Sequence, residues 1–179
     1  MHAFLAYLAP LVLIAAAVMA FRGPAFRPRQ TVKLAEYAAL AALGTTAVSV
    51  VMLIISGAAT SPILGVSSFG LAARLDALSA VMLLLVSFVG WVVLRFSGTY
   101  LDGEQRQGSF TGWMLLTLAS VLFLVQAGTL VQLVLAWIAT SLALHKLLLF
   151  YPGRVEAQRA AKKKWIVSRA GDAALLGAA

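Results

Sequence analysis

A chain of 179 residues in which 62% are hydrophobic and only 11% charged, with a mean hydropathy of +0.96, is far more apolar than a soluble domain, where about 25% of residues are charged. That excludes an ordinary soluble fold and indicates an integral membrane protein. The net charge of +8 does not indicate nucleic acid, because the basic residues occupy short connectors between apolar runs, and the absence of cysteine excludes disulfides, thiolate metal sites and iron–sulfur ligation within the chain.

The first apolar run, residues 3–21, suffices to cross roughly 30 Å of hydrocarbon at about 1.5 Å per residue. Only Met1 and His2 precede it, and Arg22, Arg27 and Arg29 follow, the reverse of a secretory signal, so a retained span is expected. The connector from Arg22 to Lys33 is rich in Pro, Gly and Arg and cannot carry either helix through lipid. A second span is predicted over residues 36–56. From Gly57 to Leu75 the chain changes character, and the stretch from Ile63 to Leu71 fits a short hairpin on the membrane surface or an irregular loop.

A third span is predicted over 76–97 and a fourth over 110–125, separated by a polar turn holding Asp102, Glu104 and Arg106. One helix from Phe110 to Phe150 would be about 60 Å long, twice what a bilayer needs, so the chain must fold back at Gln126-Ala127-Gly128-Thr129. The fifth span then covers 130–151. The sixth, 165–179, gives only about 22 Å of helix and runs out without a cap or polar flank, which predicts the N-terminal part of a larger product. The fold expected is all-α, a polytopic transmembrane helix bundle.

Alternate connectors differ sharply in charge. One side receives Arg22, Arg27, Arg29, Lys33, Arg95, Arg106, Arg154, Arg159, Lys162, Lys163 and Lys164, and the other only Arg74. Basic loops stay in the cytoplasm, so the N-terminus is expected outside and the protein in the bacterial inner membrane.

The last two apolar runs carry ionisable residues: His145 and Lys146 in the fifth, Arg169 and Asp172 in the sixth. A charge at bilayer depth costs roughly 2.5–3.5 kcal/mol on insertion scales, so such residues commonly serve a polar pathway or a partner. On a helix Ile138, Ser141 and His145 share a face, and imidazole exchanges protons near neutrality, which makes His145 a candidate relay; an interhelical hydrogen bond is the structural alternative. Lys146 can snorkel to the interface. Lys162, Trp165, Arg169 and Asp172 form one predicted stripe facing the bundle, with Arg169 and Asp172 able to pair at i, i+3. That pair either fixes packing or changes partner as a proton passes. Arg74 and Asp76 read as an interfacial ion pair, and Lys162, Lys163 and Lys164 as a topogenic cluster or a partner-docking site. No phosphate loop, nucleophile triad or metal-ligand cluster is visible, and no cofactor is expected in this chain.

The segments Arg74-Leu-Asp76-Ala-Leu-Ser79, Leu135-Ala-Trp137 and Lys164-Trp-Ile-Val-Ser-Arg169-Ala-Gly-Asp172 resemble the N-terminal part of the antiporter-like proteins typified by NADH-quinone oxidoreductase subunit 5. The resemblance implies a many-span bundle with inverted repeats and a polar axis at mid-depth. Proton-pumping respiratory members carry a glutamate directly after the span-five tryptophan, where this chain has Ile138. The stretch from Ala136 to Leu148, Phe150-Tyr-Pro and Ala160-Ala-Lys-Lys-Lys look more like the membrane subunits of DAB inorganic-carbon accumulation systems. That likeness implies a DabA-like cytoplasmic partner, a zinc protein resembling a β-carbonic anhydrase, whose one-way hydration of carbon dioxide is energised by ion flow through the membrane subunit. Proton or cation conduction for a carbon pump is therefore the expected function. A respiratory subunit or cation/proton antiporter is the transport alternative, and a non-conducting membrane anchor the alternative from another class.

Overall fold

In the computed structural model, which describes residues 5–24, 26, 28–61, 70–151 and 155–178, helix ends follow local side-chain chemistry. The described residues form α1 (Leu5–Arg22), α2 (Arg29–Ser56), α3 (Ala77–Tyr100), α4 (Gln107–Val125), α5 (Leu130–Leu148) and α6 (Val155–Ala178), with a small ladder of β1 (Ala59–Thr60) and β2 (Arg74–Leu75) before α3. Asp76 opens α3 with a reciprocal cap. Its carboxylate accepts the Ser79 N–H at 2.8 Å, while Ser79 Oγ accepts the Asp76 N–H at 2.8 Å, satisfying donors that a helix start leaves without an intrahelical partner. Thr129 caps α5 by accepting the Gln132 N–H at 3.2 Å, and Gly57, at φ 79°, ends α2 by donating its N–H to the Leu53 carbonyl.

Helices α2, α3, α4 and α5 are long and apolar enough to cross a membrane, and α1 is apolar but slightly shorter. This all-α bundle is a multi-pass membrane protein, built from the one open-ended element whose backbone satisfies its own polar groups in lipid.

Several helices outrun the predicted spans. α2 starts at Arg29, not 36, because Pro28 occupies the N-cap position and no further Pro or Gly interrupts residues 29–35. Its 28 residues reach about 42 Å, so the first turns, bearing Arg29 and Lys33, project beyond the hydrocarbon. α4 begins at Gln107, while α5 stops at Leu148, shortly before Tyr151-Pro152, where the residue preceding proline disfavours the helical region. α6 differs most in its start: it begins at Val155 and has 24 residues, about 36 Å, its first ten mostly polar or small, and it is not among the helices long and apolar enough to cross a membrane. Glu, Ala, Gln, Arg and Lys in its first part are strong helix formers that a reading based on apolar runs discards. The hairpin considered for 63–71 falls mostly on residues outside those described. What flanks it pairs antiparallel, Ala59 with Leu75 and Thr60 with Arg74, and Ala73 bridges to Ala127.

α1 lies between α2 and α4, α3 packs on α2 and α4, α5 on α4, and α6 chiefly on α5. The central seams are made largely of small residues: Ala9, Ala16 and Ala20 of α1 meet Ala35 and Ala42 of α2 and Leu115 of α4 in one buried cluster. Helix association in lipid rests on such close packing, since lipid tails are as apolar as leucine. A buried hydrogen bond of 2.9 Å between Thr46 and Ser87 joins α2 to α3. At the α4–α5 turn the Gly128 N–H donates to the Ala72 carbonyl at 2.6 Å.

A Cβ at Gly128 would stand 2.5 Å from the Ala72 carbonyl oxygen, whereas one at Gly44 of α2 meets nothing within 4 Å. Gly128→Ala should therefore destabilise the detergent-solubilised protein by about 1–3 kcal/mol, and Gly44→Ala should be neutral or stabilising by up to about 1 kcal/mol, as read by thermal unfolding with size-exclusion detection.

The backbone N–H of Ser79, then its hydroxyl, then the Arg74 guanidinium hold the Asp76 carboxyl below its ordinary value of 3.8. A carboxyl with a depressed folded pKa contributes stability that is present above its unfolded pKa and is lost as pH falls through the folded value. Below pH 3.8 the thermal midpoint of the unmodified protein should fall toward that of Asp76→Asn, closing a gap that stays constant at higher pH.

Candidate ion pathway at the α5–α6 interface

Along α6 the inward positions are Ala161, Lys164, Ser168, Arg169, Asp172 and Leu175, with the neighbouring side chains largely exposed. These recur at helical spacing along one face. The seam passes through Ala161, whose small side chain lets α6 approach α5 closely. Of the predicted stripe, Arg169 and Asp172 turn inward, Lys162 and Trp165 are more exposed but line the cavity that His145 faces, and Lys164 is half-buried beside them.

Asp172 is 4% exposed, and its Oδ2 lies 2.6 Å from Arg169 Nη2. The contact is an ion pair without hydrogen-bond alignment. Neither carboxylate oxygen of Asp172 nor Arg169 Nε has a hydrogen-bond partner among the described residues. Withdrawing two charges from water costs several kcal/mol per ion and is repaid only when the remaining donors and acceptors are also filled. This pair is close but under-coordinated.

His145 is half-buried, and its Nδ1 is buried with no partner among the described residues. The ring lines a cavity of about 660 Å³ together with Leu149, Gln158, Ala161, Lys162, Trp165 and Ile166. Lys164, Lys146 and Arg169 act on it electrostatically. Ser141 and Ile138 are half-buried on the same face of α5, and Lys146 is exposed at the helix end. The interface thus gathers His145, Lys164 and Arg169. Asp172 lies eight residues beyond Lys164 on α6, about 12 Å along the axis, and no hydrogen bond joins it to His145 among the described residues.

Other predicted residues stand apart. Arg74 and Asp76 pair at 3.2 Å with side chains 65% and 35% exposed, at the end of the bundle where α5 begins. The Arg74 N–H donates to the Gln126 carbonyl there. Lys163 is exposed at the opposite end, and Lys162, also exposed, borders the His145 cavity.

Sequence reasoning overlooked a polar knot around Gln132. Its Oε1 accepts from Tyr7 Oη at 2.9 Å and from the Ala72 N–H at 3.1 Å, and its Nε2 donates to the Phe123 carbonyl at 3.2 Å. One amide therefore joins α1, the segment before β2, α4 and α5. Neighbouring Gln126 is fully buried, with neither side-chain polar atom partnered among the described residues. Two glutamines within apolar sequence were the available signal. At the opposite end Arg95 meets Glu36 at 3.7 Å, and the Arg106 guanidinium donates to the Phe150 carbonyl and lies 4.9 Å from that ring's centroid.

Residues 63–111 match the family model described as "NADH-Ubiquinone oxidoreductase (complex I), chain 5 N-terminus". The chain is 35% identical over 176 residues, 94% of its length, to a protein of Halothiobacillus neapolitanus described as "Probable inorganic carbon transporter subunit DabB2", covering 32% of that protein. It is 41% identical over 102 residues to "Probable inorganic carbon transporter subunit DabB" of Hydrogenovibrio crunogenus, covering 56% of this chain and 20% of that one. To NADH-quinone oxidoreductase subunit L of Mycobacterium tuberculosis it is 37% identical over 107 residues, 60% of this chain and 17% of the relative. The chain spans a third or less of the length of these curated relatives. With its apolar helices, the matched segment and a likeness to DabB2 over nearly its whole length, the chain is similar to the antiporter-like membrane proteins that include complex I chain 5 and the DabB subunits.

Proposed function

We propose that the chain supplies helices of a proton- or cation-conducting membrane subunit of an inorganic-carbon pump. In this reading it lies in the bacterial inner membrane with its N-terminus outside, and works with a cytoplasmic, zinc-containing, carbonic-anhydrase-like partner of the DabA kind. The observation that carries the proposal is the Arg169–Asp172 pair, in which a half-buried guanidinium meets a buried carboxylate that keeps unfilled acceptor positions. A carboxylate held by one cation and little else can change protonation state at modest structural cost. Its coupling to Arg169 is strong where water is scarce, so proton arrival at Asp172 would release the guanidinium toward another acceptor. His145 supplies a second exchange point facing the cavity at the basic end of α5. Lys164, Lys146 and Arg169 are the cations that act on it.

Ile138 in place of the respiratory glutamate favours the carbon-pump branch over a respiratory proton pump, as do the names of the DabB relatives. The test is complementation, in which the complete membrane subunit and its partner restore growth in ambient air to a bacterium lacking carbonic anhydrase. His145→Ala and Asp172→Asn should each abolish rescue while the complex still assembles, as judged by copurification. Normal growth of both variants would rule out the relay.

Conduction and packing make different demands on the ion pair. Arg169→Met leaves a buried carboxylate without its cation and should destabilise the subunit by up to about 3 kcal/mol. Arg169→Met combined with Asp172→Leu should recover thermal stability but not rescue. Recovery of both would make the pair purely architectural.

A further inference from the structure

At the basic end of the bundle, α2, α3 and the start of α4 enclose a crevice of about 450 Å³ lined by Arg29, Lys33, Glu36, Arg95, Asp102 and Gln107, among others. Its charges are unequally committed. Glu36 is held by Arg95 at 3.7 Å, and Asp102 has a partner of its own. Arg29 and Lys33, one helical turn apart and exposed, form no ion pair among the described residues. Beside the crevice runs a mainly apolar groove of about 660 Å³ lined by Trp91, Val92, Phe96 and Tyr100, and Arg95 and Thr99 line both spaces. The Arg95 guanidinium sits 5.7 Å from the Trp91 ring centroid, and the rings of Phe96 and Tyr100 stack at 5.7 Å to form a flat wall.

From Tyr100 to Trp91 the groove follows α3 for about 14 Å, running from the helix end into the span. At 28 residues, about 42 Å, α2 is longer than the roughly 30 Å of hydrocarbon, so its polar first turns, with Arg29 and Lys33, fit the depth of lipid head groups. A cationic site open to the interface and continuous with an apolar channel that descends along a helix matches a molecule with an anionic head and a hydrocarbon tail. A free inorganic anion would use the first part and leave the second without purpose.

We propose that this crevice and groove bind one anionic phospholipid, its phosphate held by Arg29 and Lys33 and one acyl chain lying against Trp91, Phe96 and Tyr100. The site is independent of the ion pathway, since it uses none of the residues of the α5–α6 interface. Basic pockets between spans hold anionic head groups by charge as well as contact.

The complete subunit is reconstituted in phosphatidylcholine nanodiscs doped with phosphatidylglycerol brominated on its acyl chains, or with equally brominated phosphatidylcholine. The Trp91 contribution to emission is taken as the difference from Trp91→Phe. Brominated phosphatidylglycerol should quench that contribution preferentially at equal mole fraction. The preference should fall about fivefold in Arg29→Gln and again in Lys33→Gln, and persist in Arg159→Gln/Lys163→Gln, which removes two exposed cations elsewhere on the same side. Equal quenching by both lipids, or an equal loss in the control double variant, would overturn the site. Abolition of the preference by inorganic phosphate would overturn the lipid assignment in favour of a free anion.

Discussion

Polar groups inside hydrocarbon must find partners within the protein, because no water is there to supply them. That constraint accounts for most of what is seen. It forces the spanning segments into helices, places a reciprocal cap at Asp76 and a single cap at Thr129, closes Thr46 onto Ser87, and saturates Gln132 with donors and acceptors from three other parts of the chain. The Gln132 amide is a structural hub. It sits where α1, the segment before β2 and the α4–α5 turn converge, and it allows irregular backbone at 70–75 and 126–129 to lie against the bundle with its hydrogen bonds made.

Against that background the exceptions are informative. Of the buried side-chain polar atoms without a partner among the described residues, the majority belong to His145, Arg169 and Asp172, all at the α5–α6 interface. The central helices α1 to α4 are tightly packed through alanine seams, whereas α6 leans chiefly on α5 and leaves Trp165, Ile166 and Val167 exposed. Polar under-coordination and sparse packing therefore coincide on the same side of the molecule.

Charge organises the molecule along the perpendicular direction. Arg22, Arg29, Lys33, Arg95, Arg106 and Arg159 lie at one end of the helices and Arg74 at the other. This asymmetry is more than a topological label. Arg106 ties the α3–α4 turn to the end of α5 through the Phe150 carbonyl, and Arg95 pairs with Glu36 across α2 and α3. Arg29 and Lys33 form no ion pair among the described residues. Residues that look equivalent when counted as basic connectors divide into ties and open binding groups only when their neighbours are known.

Membrane class, helix number, the fold-back at Gln126–Thr129, the Arg169–Asp172 pair and the Arg74–Asp76 pair were all legible in the chain itself. Each depends on local quantities: hydropathy over about twenty residues, a glycine beside a capping threonine, or charges three residues or fewer apart. The early start of α6 was hidden because charged helix formers look like connector to a hydropathy reading, although the backbone needs no apolar side chains to continue. Which of Lys162, Lys163 and Lys164 is half-buried, that Gln132 ties together the end of the bundle where α5 begins, and that Arg95 borders both a polar crevice and an apolar groove were decided by tertiary structure alone. Those outcomes depend on the rotation of one helix against another and on contacts between residues up to 125 positions apart, which sequence periodicity cannot encode.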